Sequence, residues 1–123
     1  MGRYAFFNTG LEYKFTFAVQ SSSDMLEFGG TSQPSADWEF IHSWEQKEAP
    51  SILEQLRGLE EDLGLPQVDF KQYSKDIYGT SKIRHTLWDY LDFKIEEHCL
   101  YQLGCMIYHQ LLYQPDLRVH FEG

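Results

Sequence analysis

Residues 99–122 read CLYQLGCMIYHQLLYQPDLRVHFE, and the period of the apolar residues changes inside that stretch. None of the 17 residues from Cys99 to Pro115 is Lys, Arg, Asp or Glu. At about 100° per residue, Leu100, Leu103, Ile107 and Leu111 share one face of a helix. That helix is expected to run roughly from Phe93 to Tyr113, with Pro115 closing it. Leu117, Val119 and Phe121 then alternate with Arg118, His120 and Glu122, the period-two pattern of a strand with one buried side.

The face of this helix opposite the leucines carries His98, Gln102, Cys105, His109 and Leu112, flanked by Tyr101, Tyr108 and Tyr113. A surface helix places charge there, so this one is expected to be covered on both sides. One reading makes it the central helix, with other helices packed over the polar stripe. A second makes Tyr101, Gln102, Cys105, Tyr108, His109, Leu112 and Tyr113 an interface for self-association or a protein partner, because interface cores favour aromatics and shed charge. A third is chemistry at Cys105 and His109, spaced i, i+4 as a thiolate–imidazole pair, or as two zinc ligands joined by His85 or His120. No third group orients the imidazole, and no CxxC or HxxxH spacing occurs. No catalytic residue, metal ligand or cofactor is therefore assigned.

Towards the N-terminus, Arg3 to Phe7 ends in the turn signal Asn8-Thr9-Gly10, after which Tyr13, Phe15, Phe17 and Val19 alternate with polar or small residues. A hairpin is expected. Gln20 to Asp37 is rich in Ser and Gly and reads as loop, with a single helical turn between Asp24 and Gly29. Trp38, Phe40, His42 and Trp44 alternate with Glu39, Ile41, Ser43 and Glu45, predicting a third strand. From Pro50 a helix follows, with Ile52, Leu56, Leu59 and Leu63 as its apolar stripe and Gly64 and Pro66 as its stop. Glu60, Glu61 and Asp62 crowd its C-terminal turn, where the helix dipole disfavours acids; this is either accident or contact with a basic partner. Gln67 to Gly79 is irregular, and Thr80 or Ser81 caps a further helix to about Leu91. Strands at both ends with helices between them predict one α+β domain over residues 1–123: an antiparallel sheet packed by about three helices, the last strand beside the N-terminal hairpin.

The net charge of −9 disfavours binding to nucleic-acid backbones and anionic membranes. Ten acids stand against Lys47 and Arg57 between Asp24 and Asp62, whereas Lys71, Lys75, Lys82 and Arg84 face only Asp76. Residues 1–20 lack the order of a secretory signal, no apolar run reaches the ~20 residues of a membrane span, and two cysteines are too few for a disulfide framework. An intracellular location is expected. The basic neighbourhood gathers Lys75, Thr80, Ser81, Lys82, Arg84 and His85 at a helix start, where a small phosphate- or nucleotide-bearing anion would find N–H donors, although the P-loop spacing is absent. Trp38 and Trp44 either belong to the core or line a pocket that stacks a base or sugar. The sequence thus predicts a small acidic interaction module, self-associating. The alternative is a binder of a small anionic ligand, or a small hydrolase or transferase using the same pocket.

Overall fold

A computed structural model describes residues 4–15, 20–35, 39–71 and 95–122. Strands β1 (Tyr4–Phe7), β2 (Glu12–Lys14), β3 (Thr31–Pro34), β4 (Glu39–Glu45) and β5 (Asp116–Glu122) form one antiparallel sheet in the order β2-β1-β5-β4-β3. The C-terminal strand lies beside the N-terminal hairpin, as the alternation of Leu117, Val119 and Phe121 suggests. It also pairs with β4, so β5 is the centre of the sheet. The helix expected between Thr80 and Leu91, and the alternating residues Phe17, Val19 and Trp38, lie outside the described residues.

Helices cover one side of the sheet. In register, Ala5, Phe121 and Phe40 sit side by side across β1, β5 and β4, followed by Phe7, Val119 and His42. These side chains point inward with Trp44 and Leu117, and all but the half-buried Phe40 are buried. The β1–β2 turn uses Gly10 at φ 91, a conformation that costs glycine little. Short β2 joins the sheet through Ala5 and Tyr13, both inward and buried.

Helix α1 (Ala49–Leu63) starts with a proline in its first turn and ends at Gly64, in the left-handed region at φ 69. The Leu65 amide closes the last turn by donating to the Glu60 carbonyl at 2.8 Å. Helix α2 (Ile95–Leu111) has Leu103, Ile107 and Leu111 fully buried, and it is covered on its second side as well. At Gly104 the helices come so close that an added Cβ would lie 2.5 Å from the Phe28 ring and 2.7 Å from Leu56. Phe28 ends a 3-10 helix, Ser22–Phe28, which is longer than the single turn expected from Asp24 and Gly29.

Strand β3 corrects the reading of residues 20–37 as loop. All of its residues are exposed and polar or Pro, so it has no apolar alternation to reveal it. It lies at the sheet edge, where a missing N–H at Pro34 does no harm.

Candidate functional site

The apolar stripe of α1 runs through Ile52, Leu56 and Leu63, but its third member is Glu60 and not Leu59, which is only half-buried. Positions 52, 56, 60 and 63 share a face, so the carboxylate is turned into the protein and is 2% exposed. Its partners explain how a charge survives there. Arg57 Nη1 donates to both carboxylate oxygens at 2.8 and 3.0 Å, the Val68 amide donates to Oε2 at 2.9 Å, and the Tyr101 hydroxyl donates to Oε2 at 2.5 Å. Burial pushes the Glu60 carboxyl up; Arg57, Tyr101 and the Val68 amide outweigh it, leaving the pKa below its ordinary value. Neither accident nor a basic partner accounts for Glu60, because it staples α1 to α2 and to the segment after α1. An i, i+3 Arg–Glu pair on the continuation of a leucine stripe is the sequence signal that marks it.

The polar stripe of α2 is mostly interior. Tyr101, Cys105 and His109 are buried, Gln102 and Tyr108 are half-buried, and Leu112 and Tyr113 just beyond the helix are exposed. Burial pushes the Cys105 thiol pKa up to about 12. The His109 ring packs edge-on against Tyr113 at 5.3 Å. Among the described residues no group of three or more His, Cys, Asp or Glu is placed to hold a metal ion, and no helix is long and apolar enough to cross a membrane. Trp44 is completely buried, with its indole N–H donating to the Phe28 carbonyl at 3.2 Å and His42 against its ring at 4.6 Å. Trp38, Lys75, Thr80, Ser81, Lys82, Arg84 and His85 lie outside the described residues.

Among the described residues nothing packs over the other side of the sheet at its centre. Phe6 on β1, His120 on β5 and Ile41 on β4 are register partners in one row across the three central strands. Phe6 is 49% exposed, Ile41 37% and the neighbouring Tyr4 41%. Tyr4 stacks on Phe6 at 6.3 Å, and the Lys14 ammonium lies 5.9 Å above the Tyr4 ring. At the opposite side of the row, His120 Nε2 meets the Glu39 carboxylate at 3.1 Å. A shallow depression of about 240 Å³ runs along this face beside Phe6, Ile41 and His120. Alternation in the sequence marks the inward side of β4 and β5, whereas Arg3 to Phe7 reads only as a short apolar stretch, and the outward rings are not flagged as a patch. No protein-family model, curated protein or solved structure matches the chain.

Proposed function

We propose that this protein is a self-associating interaction module that docks through the open face of its sheet. The row Phe6–His120–Ile41 carries the reading: three neighbouring strands present rings and a branched aliphatic to solvent at their centre. Exposed aromatic and aliphatic side chains gathered in one row mark an interaction site more often than scattered exposed residues do. The occupant that fits is a second copy. A two-fold axis along β5 sets Phe6 of one copy against Ile41 of the other. It also brings the Lys14–Tyr4 side over the Glu39 side, pairing cation with anion twice. Aligned face-to-face packing of two sheets buries side chains in this manner. The net charge of −9 opposes a nucleic-acid occupant for the same aromatic face.

The buried stripe of α2 offers little to a partner in this reading; only Leu112 and Tyr113 at its end remain exposed. Light scattering after size exclusion, over a range of protein concentrations, tests the proposal. Mass rising from one chain towards two with concentration supports it, and a single-chain mass throughout overturns it.

A further inference from the structure

A second recess lies away from the sheet, between α1, the segment 65–71 and the end of α2, with a volume of about 560 Å³. That falls within the roughly 300–1,000 Å³ of small-ligand sites. Part of its lining is apolar and aromatic, with Leu53 from α1, Phe70 from the segment, and Tyr108 and Tyr113 from α2 and the turn after it, and Gln67 adds a polar group. Phe70 meets Tyr108 edge-on at 4.6 Å, and the Arg57 guanidinium lies 5.8 Å over the Phe70 ring.

Arg57 is the polar group that sets the chemistry. Its Nη1 is committed to Glu60 and its Nη2 to the Val68 carbonyl at 3.1 Å. A guanidinium has five N–H donors, and here Nε–H has no acceptor among the described residues while Nη2 has a second proton to give. With the Val68 carbonyl on the Nη2 proton that faces Nη1, Nε–H and the other Nη2 proton would form the edge that takes a carboxylate in two parallel bonds. The side chain is 30% exposed and held from behind by Glu60 and Phe70, so little freedom is lost when it binds. Lys71 adds a second cation to the lining. Asp69 is the one carboxylate there, and its Oδ1 already accepts from the Lys71 amide at 3.0 Å.

We propose that this recess binds a ligand with a single carboxylate on an apolar body. One negative charge suits the remaining Arg57 edge, whereas a doubly charged phosphate ester would meet Asp69 and the Glu60 carboxylate behind it. The carboxylate belongs either to a free aliphatic or aromatic acid or to the C-terminus of a peptide ending in an apolar residue. The recess and the sheet face share no residue, so the proposal stands apart from self-association.

Protein-observed NMR titration tests it. The probes are octanoate, 3-phenylpropanoate, phenyl phosphate and N-acetyl-Leu-Phe, with the acids also supplied as amides. Saturable shifts at the amides of Leu53, Val68 and Tyr113 are expected with the acids, and binding about tenfold or more weaker with the amides, the usual effect of losing charge-assisted hydrogen bonds. Tighter binding by the peptide acid assigns the peptide source, and tighter binding by the small acids assigns the free acid. Arg57→Lys retains a cation for Glu60 but loses the fork, and is expected to weaken the acids about tenfold. Should that variant unfold, the exposed changes Lys71→Gln and Tyr113→Ala carry the test, each expected to lower affinity for the acids. Equal binding of acid and amide, shifts scattered away from the recess, or phenyl phosphate binding as tightly as phenylpropanoate would overturn the proposal.

Discussion

The Tyr101 hydroxyl on α2 donates to the Glu60 carboxylate on α1 at 2.5 Å, joining the two helices through a buried charge. Glu60 also holds Arg57 and the Val68 amide, so the contact fixes the segment after α1 as well as the helix pair.

Tyr101→Phe removes one hydrogen bond to that carboxylate and is expected to cost about 1.5–3 kcal/mol, whereas Arg57→Ala, which leaves a buried charge without its counterion, should cost about 3–5 kcal/mol. The folded pKa of Glu60 is lowered, so its contribution is complete above the ordinary carboxylate pKa of about 4.3 and is lost as pH falls through the folded value. Denaturant midpoints from pH 7 to 3 check this. A Glu60→Gln variant with an unchanged slope below about pH 4.3 would contradict it.

Near neutral pH a different group governs stability. Burial pushes the His42 imidazole down, against the opposing pulls of the Gly29 carbonyl and Glu48. Its Nε2–H donates to Gly29 O at 2.6 Å, leaving the buried Nδ1 without a partner among the described residues. The unfolded chain then binds the proton more readily, so stability is complete above about pH 6.5 and declines as pH falls from there towards the folded value. Burial lowers His98 with the same sign. Melting temperatures between pH 8 and 5 should show the decline, and His42→Gln should reduce it.

Two helical glycines are predicted to respond oppositely to Ala. Gly58 has open space around its would-be Cβ, so Gly58→Ala should stabilise by about 0.5–1 kcal/mol through helix propensity. Gly104→Ala gains the same propensity but drives its methyl into the Phe28 ring and Leu56, and should be destabilising by about 1–3 kcal/mol overall. Chemical denaturation of both variants checks the pair. Stabilisation by both would mean that the packing of Phe28 over α2 is looser than described.

Thiol chemistry gives a kinetic prediction. Cys99 and Cys105 are buried and unbridged, and the Cys105 thiol is pushed up to about 12. Both should react with a thiol reagent at pH 8 only as fast as the protein opens, and His109→Ala should not change the ratio of the two rates. Rapid labelling of Cys105 that depends on His109 would restore the thiolate–imidazole reading.

The fold class was legible because β4, β5 and α1 each bury one face against the core, and burial imposes a period on the sequence. The double cover of α2 was legible too, in the absence of charge from Cys99 to its end. What escaped shows where periodicity stops carrying information. Thr31–Pro34 is an edge strand with neither face buried, so nothing selects alternation there. Glu60 occupies an apolar position because three donors converge on it, and two of them, Tyr101 and the Val68 amide, are distant on the helix or in sequence. The outward row of Phe6, His120 and Ile41 becomes a patch only once β5 is inserted between β1 and β4, a pairing that joins residues more than 70 positions apart.

Sedimentation equilibrium of the wild type beside Phe6→Asp and Ile41→Asp tests whether copies of this chain meet through the open sheet face. Both residues are exposed, so the variants should keep the wild-type circular dichroism and melt cooperatively. The wild type should fit a monomer–dimer equilibrium, with each substitution weakening it about tenfold or more, since each would bury an unpaired charge at the centre of the contact. Association of the same strength in all three proteins, or a wild type that remains a monomer at the highest concentration reached, would contradict it.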